Sequence, residues 1–92
     1  MADLQELRTR IDTVDAQLRE LLKERYRIVG ELAAYKAANG LPAFDAAREE
    51  EKVRSIRQKT DDERLADYYE KIFRAIMKAS RESEELDIGD GI

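Results

Sequence analysis

Apolar residues recur every three or four positions from Leu4 to Tyr35, which is the spacing of one helix face. Counting by sevens from Leu4 gives Leu4, Ile11, Leu18, Arg25 and Leu32, and a companion row gives Leu7, Val14, Leu21, Ile28 and Tyr35. Together these rows are the a and d positions of a helix that packs against other helices. Between Asp3 and Asn39 there is no Pro, and Gly30 is the only Gly. The pattern therefore predicts a single helix over 3–39. Asn39-Gly40, with Pro42 just beyond, supplies a left-handed stop. Asp45 is a good N-cap for a second helix over 46–59, whose apolar content is thin: Ala46, Val53 and Ile56. Thr60-Asp61-Asp62-Glu63 has the form of a capping box and predicts a third helix over 61–85. Its apolar side carries Leu65, Tyr69, Ile72, Phe73, Ile76 and Met77. Residues 86–92, with two Gly and two Asp, are predicted to form a mobile tail. The expected fold class is all-α, with three helices per chain, one of them very long, in a single domain over 1–92.

The length of the first helix implies a partner. At ~1.5 Å per residue it extends roughly 55 Å, whereas a compact domain of this size is only about 32 Å across. The helix overhangs its own domain by roughly 20 Å, and its seam stays apolar over that overhang. An exposed stripe of this kind needs another chain, and a homodimer is the simplest solution.

Composition narrows the chemistry. The chain has 92 residues, of which 41% are charged and 42% hydrophobic, with a net charge of −4. It has no Cys and no His. Disulfides and thiol or imidazole nucleophiles are thus excluded, and a transition-metal site is not expected. The acidic balance argues against a nucleic-acid surface, which needs a basic field. No apolar run approaches the ~20 residues of a membrane span, and the N-terminus lacks the apolar core of a signal peptide. A cytoplasmic location is expected.

Against this background, polar residues on apolar faces stand out. Arg25 interrupts the seam, where an always-charged guanidinium is costly unless an anion meets it. The row beside the seam adds Arg8 and Lys36. In the second helix Glu49 lies four residues before Val53, and so shares its face with Asp45 one turn earlier and Arg48 beside it. In the third helix Ser80 and Glu84 continue the Phe73–Met77 face in polar form. Blander roles exist for each. Arg25 can be a register device paired with Glu49 across a helix interface. Arg8 and Lys36 can be solvated flanks with buried stems, and Asp45 merely a cap. Arg48 and Glu84 lie in charge-rich runs that default to solvent. Reach separates the set further. Arg25 and Lys36 are about 16 Å apart along the helix and can bracket one small molecule, whereas Arg8 is about 25 Å from Arg25. If Arg8 joins the same site, it comes from the other subunit.

These residues, in this order, resemble the all-helical, AroQ-type chorismate mutases, close to the small bacterial dimeric form. The resemblance runs from Leu4 to Glu85. It rests on Leu7-Arg8 before Ile11, Glu24-Arg25, Lys36, Pro42 ahead of Asp45-Ala46-Ala47-Arg48-Glu49, and Ile72-Phe73 ahead of Ser80 and Glu84. It implies an intertwined homodimer with two active sites and the Claisen rearrangement of chorismate to prephenate. That unimolecular reaction needs no nucleophile, metal or cofactor. It needs a dianion held in a compact chair-like conformer, and stabilisation of the charge growing on the breaking ether oxygen. By position, the resemblance implies that Arg25 and the partner-derived Arg8 grip the two carboxylates, with Arg48 adding positive field beside the ring. It assigns the substrate hydroxyl to the Asp45 backbone N–H and the Glu49 carboxylate, support of a carboxylate to Ser80, and donation to the ether oxygen to Lys36.

One position departs from the closest bacterial pattern, which has Gln where this chain has Glu84. A carboxylate there has the wrong sign for a developing oxyanion, so Glu84 has to carry a proton to help. Fungal relatives also have Glu at this place, and a one-residue slip near the helix end would move the role to Glu85. Two other functions remain open from sequence: an isochorismate pyruvate-lyase of the same fold, against which Glu49 argues, and a non-enzymatic helical dimerisation module in which Arg25 only sets register.

Overall fold

Each helix begins and ends where local chemistry satisfies its free backbone groups. The computed structural model describes residues 1–90 and contains α1 (Leu4–Ala38), α2 (Ala46–Gln58) and α3 (Glu63–Asp90). Asp3 caps α1, its carboxylate accepting from the Glu6 N–H at 2.8 Å. At the other end the Leu41 N–H reaches back to the Lys36 carbonyl at 2.8 Å and the Gly40 N–H to Ala37 at 3.4 Å. This is a Schellman turn, and its left-handed residue is Gly40 at φ 64°. Asp45 caps α2 by accepting from the Arg48 N–H at 3.0 Å.

The third helix differs from expectation at both ends. Asp62, not Thr60, is its cap, accepting from the N–H groups of Arg64 at 2.9 Å and Leu65 at 3.2 Å. Thr60 turns its hydroxyl the other way, onto the Ile56 carbonyl at 2.7 Å, and so closes α2 instead of opening α3. Downstream, α3 continues past residue 85 to Asp90. Gly89 is a single weak helix former in a backbone that already has its hydrogen-bond ladder, and it does not break the helix. The expected tail at 86–92 is therefore helical over its first five residues, and 91–92 lie outside the described residues.

α3 is the central element, since both α1 and α2 pack on it while making no close approach to each other. The small core is Val29 and Ala33 from α1, Val53 from α2, and Ala66 and Met77 from α3. Tyr69, Phe73 and Ile76 are half-buried beside it, while Leu65 and Ile72 are exposed.

The face of α1 used inside the chain takes only Arg25 from the seam. Arg25, Val29, Ala33 and Lys36 turn toward α3, whereas the seam residues Leu4, Leu7, Ile11, Val14, Leu18, Leu21, Ile28, Leu32 and Tyr35 are all exposed. The apolar stripe of α1 is wide enough to serve two neighbours, and only its flank is covered by this chain. From Asp3 to Glu24 every residue of the helix is exposed. The molecule is accordingly elongated, 57 × 26 × 14 Å, with a radius of gyration of 16.7 Å against about 12 Å for a compact chain of this length. Among the described residues, no helix is long and apolar enough to cross a membrane.

Candidate active site

At the C-terminal end of α1 the three helices enclose a cleft of about 180 Å³. Its polar lining consists of Arg25 and Lys36 from α1, Asp45, Arg48, Glu49 and Lys52 from the start of α2, and Ser80 and Glu84 from α3. Val29, Leu32, Ala43 and Met77 supply apolar walls. Seven of the eight residues singled out from sequence thus meet at one place. The eighth, Arg8, lies in the exposed first half of α1 and does not line this cleft.

Local folding explains each placement. Arg25, Val29 and Lys36 share the α3-facing side of α1 at three- and four-residue spacing. The Schellman turn at Gly40 then reverses the chain, so Ala43 returns over the end of α1 and Asp45 starts α2 at the cleft rim. On α2, Asp45, Arg48, Glu49 and Lys52 follow the same helical spacing. On α3, Ser80 and Glu84 lie one turn apart.

The side chains are tied down in different ways. Arg25 Nη1 donates to Ser80 Oγ, and Ser80 Oγ donates in turn to the Ile76 carbonyl at 2.9 Å. With its only proton committed, the Ser80 hydroxyl presents a lone pair to the guanidinium and orients it. The pairing of Arg25 with Glu49 that sequence left open does not form within the chain. Glu49 instead meets Arg81, with Oε2 3.5 Å from Nη1. The Arg81 guanidinium also lies 4.3 Å from the centre of the Phe44 ring. Arg48 is exposed at the rim, 3.3 Å from Glu51.

Lys36 and Glu84 form the buried pair of the site. Lys36 Nζ is 2.9 Å from Glu84 Oε1, and their side chains are 13% and 7% exposed. Nζ also donates to the Ala43 carbonyl at 2.9 Å. Although close, Glu84 Oε1 has no hydrogen bond in line with it. The contact is one of charge rather than directed bonding, and it leaves a buried carboxylate oxygen able to take a donor.

Sequence reasoning missed two residues here. Lys52 completes the α2 face seven residues after Asp45, a spacing that was available in the sequence. Arg81 sits in a charge run that reads as solvent-facing, and only its packing against Phe44 reveals it.

Charge gathers unevenly in this chain. The cleft is lined by four cations (Arg25, Lys36, Arg48, Lys52) and three carboxylates (Asp45, Glu49, Glu84), a local excess of one positive charge in a chain of net −4. The sequence model of the chorismate mutase type II family matches residues 7–85, which include every residue of this cleft. The chain belongs to that family. It is also similar to the T-protein of Enterobacter agglomerans, with 34% identity over 85 residues. The match covers 91% of this chain and 23% of the T-protein, so the chain spans less than a quarter of that relative's length.

Proposed function

We propose that the chain is a chorismate mutase, converting chorismate to prephenate by a Claisen rearrangement in the cleft between its three helices. The observation that carries this reading is the convergence of Arg25, Lys36, Asp45, Arg48, Glu49, Ser80 and Glu84 on one partly enclosed, cation-rich cleft. Such a cleft suits a small dianion. Its charged groups are held before substrate arrives, so little reorganisation opposes the reaction.

In this reading Arg25, oriented by Ser80, grips one substrate carboxylate with charge-assisted hydrogen bonds. Arg48 at the rim adds positive field beside the ring. The Asp45 backbone N–H and the Glu49 carboxylate hold the substrate hydroxyl. Lys36, fixed by the Ala43 carbonyl, donates to the ether oxygen as its bond to carbon lengthens, and Glu84 lies alongside it, able to donate only when it carries a proton. Holding the substrate in its compact chair supplies the remaining part of the barrier reduction. Arg8 grips the second carboxylate from the other subunit of a homodimer. The open seam of α1, exposed from Leu4 to Tyr35, supports that assembly.

The test is a direct assay of the purified chain with chorismate. Loss of the substrate's ultraviolet absorbance with formation of prephenate is expected. Pyruvate release from isochorismate without prephenate formation would instead make the chain a lyase. No turnover of either, with Arg25→Met preserving or raising stability, would make it a dimerisation module.

A further inference from the structure

Arg81 touches Glu49 of the cleft wall and Phe44 beside it without lining the cleft itself. Its Nη1 is 3.5 Å from Glu49 Oε2 on α2, and its guanidinium carbon lies 4.3 Å from the centre of the Phe44 ring on the connector. Phe44 sits between Ala43 and Asp45, both of which do line the cleft. One side chain of α3 thus braces both the α1–α2 connector and the start of α2. Arg81 and Glu49 are each only 22% exposed at their side chains, so solvent screens the pair less than it screens the surface pairs.

Glu49 needs such a brace. Its own helix offers it a competing cation, Lys52 at three residues' distance, which would draw the carboxylate along the helix surface. Arg81 approaches from another helix and engages Oε2. Among the described residues, no hydrogen bond or ion pair occupies Oε1, which remains able to accept from a ligand. A guanidinium fits this double task because it is planar and weakly hydrated, and so can lie on an aromatic face while still facing a carboxylate.

We propose that Arg81 is a positioning residue, setting the Glu49 carboxylate and the Ala43–Asp45 connector without touching substrate. The proposal rests on the chorismate mutase reading, in which Glu49 receives the substrate hydroxyl. That contact is made in the ground state and the transition state alike, so its loss falls on KM.

The experiment is a double-mutant cycle between Arg81→Met, which keeps the apolar stem over Phe44, and Glu49→Gln. Arg81→Met is expected to raise KM for chorismate about ten-fold with kcat within about two-fold, and to add less than about two-fold once Glu49→Gln is present. Arg81→Lys, which keeps the charge but not the planar group, is expected to recover only part of the loss. Equal losses in both backgrounds, or an unchanged KM in Arg81→Met, would overturn the proposal. Melting temperatures of the same four proteins give a readout independent of turnover. Non-additive shifts are expected from a coupled pair, and additive shifts would show that Arg81 does not hold Glu49. If the wild-type chain fails to turn over chorismate, the functional reading falls, and the melting cycle still decides whether the brace exists.

Discussion

Lys36 Nζ stands 2.9 Å from both Glu84 Oε1 and the Ala43 carbonyl, so the ammonium already has a charged partner before any substrate arrives. In the chorismate mutase reading, an ether oxygen has to compete with that carboxylate. Glu84→Gln replaces the counter-ion with a neutral amide that can itself donate, and is therefore expected to raise kcat at neutral pH. An unchanged or lower kcat in that variant would rule this out. Lys36→Ala should lower kcat by about 10²- to 10³-fold, the usual cost of one donor to a developing oxyanion.

The hydrogen-bond chain from Arg25 through Ser80 to the Ile76 carbonyl leads to a graded pair of variants. Ser80→Ala leaves the guanidinium charged but unguided, and a rise in KM of about three- to ten-fold is expected. Arg25→Met removes the charge itself and should abolish turnover in a chain that still folds. Retained turnover in Arg25→Met would show that the residue only sets register.

The uncovered seam of α1 makes assembly testable. Leu18→Glu places a charge in the middle of the exposed stripe and should convert a dimer into a monomer in sedimentation experiments, with activity lost in parallel. Arg8→Ala and Arg25→Ala dimers should each be inactive. Subunit exchange between them rebuilds one intact site per mixed dimer, so about a quarter of wild-type activity is expected from statistical mixing. No recovery on mixing would place Arg8 outside the site.

Lys52 lines the cleft without pairing to any carboxylate among the described residues, so its charge is available to an incoming anion. Lys52→Met is expected to raise KM several-fold and to weaken its dependence on ionic strength, with kcat preserved. An unchanged salt dependence would show that Lys52 plays no part in attraction.

Away from the cleft, α2 and α3 are clamped by Arg74, which holds Glu50 at 2.9 Å and Glu70 at 2.9 Å. The hydrogen bond from Arg74 lowers the Glu50 carboxyl below its ordinary value of 4.5. A carboxylate whose value is lowered on folding stabilises the fold above its unfolded value, and that stabilisation is lost as pH falls through the folded one. The urea midpoint should thus be level in this respect above pH 4.5 and decline below it. Glu50→Gln should decline less steeply, and an identical decline would show that the clamp contributes nothing.

Three helices, the Gly40 stop and the Asp45 cap could all be read from the sequence, because periodicity and capping are local properties. The competition between Thr60 and Asp62 could not, since both are capable caps and the choice depends on Thr60 finding the Ile56 carbonyl. Nor could the face of α1 that meets α3. The seam and its flank adjoin at Arg25, and periodicity alone does not say which of the two rows meets α3. In the cleft, residues that break an apolar pattern were visible because they stand out against it. Arg81 was not, because in the run Arg81-Glu82-Ser83-Glu84-Glu85 a charge breaks no pattern. Its significance comes from Phe44, which is far away in sequence.

The Schellman turn at Gly40 has a consequence for how this chain can vary. Lys36 is bound twice across it, through its backbone carbonyl to the Leu41 N–H at 2.8 Å and through Nζ to the Ala43 carbonyl at 2.9 Å. An added or deleted residue between Asn39 and Phe44 would therefore retune the ammonium as well as the connector. The turn from Lys59 to Asp62 contributes nothing to the cleft lining, so a change of length there that keeps the Thr60 and Asp62 caps leaves the ammonium in place. The two connectors are similar in kind, yet only one is open to insertion.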